Sequence, residues 1–132
     1  MASTWQPYVD TNMVGTGKLT EAMILGNADG SIWATTPGLK SSITPAEIKT
    51  LLGAFQDVTT VRSEGVHVAG KKYVVIGGGD GRSLYGKKGD EGVVAVKTKQ
   101  AVLLGLYAPP AVPGEAVKVV EALADYLLSV SF

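Results

Sequence analysis

The chain has 132 residues, of which 45% are hydrophobic and 18% charged, a balance that fits one compact domain over residues 1–132 and excludes a disordered segment. Its 12 basic and 12 acidic residues cancel, so no global field draws it to nucleic acid and any charged partner must meet a local patch. With no cysteine it has neither a disulfide framework nor a thiolate metal site. Lacking a basic-then-apolar leader and any apolar run near the roughly 20 residues that span a bilayer, it is expected in the cytoplasm.

Ser3 and Gln6 have capping-box spacing, and Pro7 is tolerated in a first turn whose amides have no intrahelical acceptor. A short helix from about Thr4 to Val14 is expected, ended by Gly15-Thr16-Gly17. On it Trp5, Tyr8 and Asn12 follow i, i+3, i+7 spacing and share a stripe. Leu19 to Leu25 reads as a strand. The turn Asn27-Ala28-Asp29-Gly30 then leads to a second strand carrying Ile32, Trp33 and Ala34, which makes a hairpin.

Thr44-Pro45-Ala46-Glu47 is the clearest helix start in the chain, with a cap, a proline at the first position and a reciprocal Glu at the third. Ile48, Leu51, Leu52 and Phe55 then give this internal helix a face to bury. From Val58 to Tyr107 the period changes to two, with turns at Gly65, Ala69-Gly70, Gly77 to Gly81, Gly89 to Gly92 and Thr98-Lys99. Such close turns leave no room for crossover helices, so about five strands form an antiparallel meander that joins the first hairpin in one sheet. After the stiff connector Ala108 to Gly114, a last helix runs from about Glu115 to Ser129. Val119, Leu123, Tyr126 and Val130 mark one side of it and Lys118, Glu121 and Asp125 the wetter one. The expected class is α+β: a central antiparallel sheet of about seven strands, with a helix at each end of the chain and one internal helix.

Catalytic chemistry finds little support. The one histidine, His67, lies between Val66 and Val68 on a strand whose alternation turns it away from them. Without a second His or a Cys, neither a thiol dyad nor a His-based zinc site can form. No pair of carboxylates is set face to face by spacing. The loop Gly77-Gly78-Gly79-Asp80-Gly81-Arg82 has glycines able to present amides to phosphate, but it lacks the G-x-x-x-x-G-K-[ST] pattern and leads into a strand. It reads as a hairpin loop. No catalytic residue, metal or cofactor is assigned.

Basic residues collect at Lys71, Lys72, Arg82, Lys87, Lys88, Lys97 and Lys99. They suit either a solvated sheet edge that discourages edge pairing or an interface for an acidic protein surface or anionic lipid. Aromatics collect at Trp5, Tyr8, Tyr126, Phe132 and Trp33. They are either core or, if the terminal helices lie side by side, the frame of a shallow groove suited to a proline-rich segment.

Trp5-Gln6-Pro7-Tyr8-Val9-Asp10, Ile24-Leu25-Gly26 with Asp29-Gly30-Ser31-Ile32-Trp33-Ala34, Tyr85-Gly86-Lys87-Lys88-Gly89 and Ala124-Asp125-Tyr126-Leu127-Leu128 resemble, in order, the signatures of the profilin family, most like its amoebal and plant members. The resemblance implies an antiparallel sheet with the terminal helices on one face. It implies a groove for proline-rich proteins formed by Trp5, Tyr8, Trp33 and Tyr126 with Asn12 and Ser31, and Phe132 where animal relatives have a terminal aromatic whose phenol hydroxyl is missing here. It further implies one-to-one binding of monomeric actin through Arg62, Lys72, Arg82, Lys87, Lys88, Lys97 and Lys118, with Lys72, Lys88 and Lys118 foremost. Binding of phosphatidylinositol bisphosphate through Lys71, Lys72, Arg82, Lys87 and Lys88 would compete with actin. Relative to close relatives, the turn Asn27 to Gly30 looks one residue longer and the loop Gly77 to Gly81 richer in glycine. A different class, a small-ligand sensor module of similar plan, would instead wrap Trp5 and Trp33 round an interior cavity. A phosphate-binding enzyme would rest on the glycine loop alone.

Overall fold

The computed structural model describes residues 5–78 and 81–132. Among these, seven strands form one sheet: β1 (Glu21–Gly26), β2 (Ile32–Thr35), β3 (Val66–Val68), β4 (Lys71–Gly78), β5 (Ser83–Lys88), β6 (Glu91–Lys97) and β7 (Ala101–Tyr107). Their order is β2-β1-β7-β6-β5-β4-β3, every neighbouring pair antiparallel. The meander from β3 to β7 and the β1–β2 hairpin are those the turn spacing demands, and β1 joins them by pairing with β7.

The central strands β1, β6 and β7 are apolar on both faces because both are covered. Met23, Leu25, Val93, Ala95, Val102 and Leu104 face a core shared with three short helices, α1 (Pro37–Ser42), α2 (Pro45–Ala54) and α3 (Thr59–Glu64). Ala22, Ile24, Val94, Val96, Ala101 and Leu103 face a second core, closed by the N-terminal helix and by α4 (Pro113–Ser129). Alternation thus sorts each strand's side chains between two helical layers.

The capping box of α2 is complete: Thr44 Oγ1 accepts from the Glu47 amide at 3.2 Å, and Glu47 Oε1 accepts from the Thr44 amide at 2.9 Å. Ile48, Leu51 and Phe55 are buried as their spacing requires, with Leu52 half-buried. Helices α1 and α3 are additions to the expected plan. The strand-rich reading of the chain from Val58 onward fails over Thr59–Glu64, where a β-branched stretch is helical.

The N-terminal helix also differs from expectation. Residues Tyr8–Met13 form a π-helix, closed by the Val14 amide on the Val9 carbonyl, and a 3₁₀ turn, Val14–Thr16, follows before Gly17 ends it in the left-handed region at φ 78°. Gly15 is therefore inside the turn, where a Cβ would lie 2.5 Å from the Asp10 carbonyl oxygen. A glycine is what lets the wide turn close there. Ser3 lies outside the described residues, so its cap is not at issue. Gln6 instead joins the edge strand, donating from Nε2 to the Thr35 carbonyl at 3.0 Å and accepting from the Thr35 amide at 3.4 Å.

In α4 the buried residues are Ala116, Val120, Leu123, Ala124 and Leu127. The expected apolar side shared only Leu123 with them. Val119 and Tyr126 stand on the flank nearer the N-terminal helix, and Glu121, expected on the wet side, is half-buried against β5.

Candidate functional site

The N-terminal helix buries Val9 and Met13 completely, and this fixes Trp5 and Tyr8 at its outer edge, half-buried. Trp33 reaches the same place from β2. Gly26 opposite leaves room for its indole, since a Cβ there would come within 2.9 Å of Trp33 Nε1. The ring of Trp5 lies 4.9 Å from Trp33, 5.7 Å from Tyr8 and 5.0 Å from Phe132, the last edge-on at 89°. Tyr8 is in turn 6.1 Å from Tyr126 on α4. All four separations fall in the range of attractive ring pairs. A hydrogen bond with Tyr126 raises the Tyr8 pKa above the ordinary tyrosine value, and burial adds to it.

From the Tyr8–Tyr126 pair an open groove of about 770 Å³ continues between the helices, with Asn12 and Thr16 on one wall and Val119 and Ala122 on the other. Lys18 and Glu115, bridged at 3.1 Å, stand at its margin with Lys118. Thr16, Lys18, Glu115 and Ala122 were missed in the sequence, although Glu115, Val119, Ala122 and Tyr126 recur at helical spacing. Ser31 is exposed beside Trp33, in a smaller cleft. Its hydroxyl donates to Asp29 at 2.8 Å, and its amide donates to the same oxygen. These bonds, the backbone one first, hold the Asp29 carboxyl below its ordinary range.

Strand alternation divides the basic residues. On β4, Tyr73 and Val75 face the core under α2 and α3, so Lys72 and Val74 face the α4 side, while a β-bulge between Val75 and Gly77 interrupts the alternation at Ile76. Lys87 pairs with Val74 and joins them. Val74 and Ile76 are 59% and 56% exposed, two uncovered apolar side chains close in sequence to Lys71 and Lys72. Lys71, Lys88 and Lys97 alternate onto the opposite face, and Arg62 is exposed on α3, also opposite. Lys71 is bridged to Glu91 at 2.9 Å, which holds the Glu91 carboxyl low. The two faces therefore share out the residues that the resemblance grouped together.

Arg82 is tied to α4, with Nη2 at 2.9 Å from Glu121 and 2.7 Å from Asp125. Glu121 Oε2 also accepts from the Ser83 hydroxyl at 2.7 Å and from the Tyr85 hydroxyl at 2.6 Å. Burial pushes the Glu121 carboxyl up. The bonds from Tyr85, Ser83 and Arg82, with the arginine's charge, outweigh it and leave the pKa below the ordinary value. Sequence spacing gave no sign of this network, because its members are brought together only by the packing of α4 on β5.

His67 points away from the core, between buried Val66 and Val68. Among the described residues no group of three or more His, Asp or Glu converges as metal ligands, and no helix is long and apolar enough to cross a membrane. Gly79 and Asp80 of the glycine loop lie outside the described residues; Gly77 and Gly78 end β4. The two indoles pack on one another beside Tyr8, with Trp33 lining the small surface cleft next to Ser31, and not round the interior cavity that a sensor module would need.

A sequence model of the family described as Profilin matches residues 3–132. Profilin-2 of Acanthamoeba castellanii is 50% identical over 129 residues, covering 98% of this chain and 99% of that protein. The crystal structure of Acanthamoeba castellanii profilin II superposes with a TM-score of 0.91 at 50% identity, covering 98% of this chain and all of that one. Mouse profilin IIa, solved in complex with a double repeat from the FH1 domain of mDia1, superposes with a TM-score of 0.79 at 28% identity over 98% and 99% of the two chains. Family model, relatives and fold agree from end to end: the chain belongs to the profilin family.

Proposed function

We propose that this chain is a cytoplasmic regulator of actin assembly that binds monomeric actin and proline-rich segments on separate surfaces, promotes nucleotide exchange on the actin, and engages phosphatidylinositol bisphosphate. Membership of the family carries the coarse part, an actin-binding cytoskeletal protein. No covalent chemistry enters this role. The observation that carries the finer part is the cluster of five rings in which Trp5 meets Phe132, Trp33 and Tyr8, and Tyr8 meets Tyr126, the last two rings lining an open groove. Flat rings suit a polyproline II segment, which is already extended and loses little entropy on docking. The mouse relative's complex with an FH1 repeat supports the same use here.

For actin, exposed Val74 and Ile76, with Lys72 and with Lys87 paired to Val74, offer apolar area beside basic side chains, the composition of a protein-binding patch. Arg82 and Lys118, on the α4 side, are proposed as outer contacts, and Arg62, Lys88 and Lys97, on the opposite face, as contacts of a partner that wraps round the sheet. For the lipid, Lys72, Lys87 and Lys88 supply the attraction, while Lys71 and Arg82 must exchange carboxylate partners to take part. Overlap of the two sets makes actin and lipid compete.

Titration of tryptophan fluorescence with polyproline tests the groove. Saturable change near a micromolar Kd, about −8 kcal/mol, is expected, and an unaltered spectrum at millimolar proline would overturn it. For the lipid, co-sedimentation with vesicles containing phosphatidylinositol bisphosphate should weaken as salt rises; binding indifferent to salt contradicts an electrostatic site.

A further inference from the structure

Phe132 is held against Trp5 by the end of α4 and by the β6–β7 turn. Helix α4 ends in a Schellman motif: the Phe132 amide donates to the Leu127 carbonyl at 2.8 Å and the Ser131 amide to the Leu128 carbonyl at 3.2 Å, with Ser131 left-handed at φ 71°. This turns the chain back toward the β6–β7 turn, where two residues grip it. Thr98 Oγ1 donates to the Phe132 main-chain oxygen at 2.8 Å, and the Gln100 amide donates to the same atom. Gln100 Nε2 donates to the Ser131 carbonyl at 3.0 Å. On its other side the Gln100 carbonyl accepts from the Asn27 amide at 2.9 Å, at the start of the turn that leads into the Trp33 strand.

A hydroxyl has one proton to give. The Ala101 carbonyl already accepts the Thr98 amide at 2.8 Å, so the buried Thr98 hydroxyl is best spent on Phe132, which lies closer to it than the Ala101 carbonyl at 3.2 Å. Gln100 then joins three pieces that share no other function: the turn before Trp33, the β6–β7 turn and the end of α4. We propose that Thr98 and Gln100 are positioning residues for the aromatic groove, setting the Phe132 ring edge-on to Trp5 and fixing that edge relative to Trp33. The inference rests on the reading that the groove takes proline-rich segments.

The test is a double-mutant cycle read by polyproline titration of the full chain, with Thr98→Val, Gln100→Ala, Phe132→Ala and the Thr98→Val/Phe132→Ala pair. Thr98→Val is expected to weaken binding about fivefold, the worth of one well-placed hydrogen bond, and Gln100→Ala by about twofold. In the Phe132→Ala background, Thr98→Val should cost nothing further. Multiplying losses, or full affinity in both single variants, would overturn the proposal. Thr98 also closes its own turn, so retained binding of monomeric actin and an unchanged unfolding midpoint in the exposed-site variant Gln100→Ala separate positioning from misfolding. Near-ultraviolet circular dichroism of the unliganded variants decides independently of any ligand. If wild type fails to bind polyproline, the groove reading falls, yet a Thr98→Val tryptophan band moved toward that of Phe132→Ala still supports positioning, and an unmoved band contradicts it.

Discussion

Trp5 touches Tyr8, Trp33 and Phe132 at once, so it is the ring whose loss most disturbs the groove. Trp5→Ala should cost about 2 kcal/mol of polyproline affinity, roughly thirtyfold, with the remaining Trp33 as the reporter; retained affinity would show that the rings are only packed. Tyr8 and Tyr126 offer a second residue-level measurement. Because the hydrogen bond raises the Tyr8 pKa, the folded chain keeps that proton at a pH where the unfolded chain has lost it. The contribution to stability is present below about pH 10 and lost as pH rises through the folded value. Absorbance titration should show Tyr126→Phe shifting the Tyr8 ionisation downward, and an unchanged curve contradicts the bond. These residues were legible in the sequence because Trp and Tyr at a turn's spacing near one end suggest a stripe. Phe132's partners were not, since Thr98 and Gln100 lie more than thirty positions away and no pattern within a segment reports that distance.

At the scale of elements, legibility followed the strength of local signals. Helix α2 carries its cap, its proline and its reciprocal Glu47 in four consecutive residues, and its start is where they put it. Thr44→Ala should cost about 1 kcal/mol in denaturant unfolding. Helix α1 opens on Thr36-Pro37, half of that signal with no capping bond and no reciprocal Glu, and α3 has a valine at its N-cap; each is only six residues long. Gly38 within α1 and the run Thr59-Thr60-Val61 in α3 both favour other conformations, and packing on the sheet overrides them. The π-helix was hidden for a different reason: six residues cannot distinguish its period from that of an α-helix, and only Gly15 marks the tighter approach. In α4, Glu121 is held by Arg82, Ser83 and Tyr85. Its carboxyl, kept below the ordinary value of 4.5, stays ionised where the unfolded one protonates. The tie is complete above about pH 4.5 and is lost as pH falls through the folded value. Thermal unfolding of Glu121→Gln should therefore be lower than wild type at neutral pH and converge with it in acid; a constant difference across that range contradicts the tie.

In the whole molecule, one sheet carries two helical layers, and the layer made by the chain's two ends leaves two things uncovered: the groove between its helices and the part of β4 that carries Val74. The meander and the first hairpin were legible from turn spacing, whereas the β1–β7 pairing that joins them and the exposure of Val74 and Ile76 were not, because no local pattern reports a pairing across some eighty positions or how far α4 reaches over β4. Since the patch around Val74 and the aromatic rings use different residues, Lys87→Glu should weaken binding of monomeric actin about fivefold or more while leaving polyproline affinity unchanged; a parallel loss of both in a folded variant would merge the two surfaces. The most direct measurement of the central claim is capture of monomeric actin by this chain while it is held on a polyproline resin. Two separate surfaces predict that actin is retained in one-to-one ratio with the bound chain and that both elute together with free polyproline. Actin that displaces the chain from the resin would contradict the account.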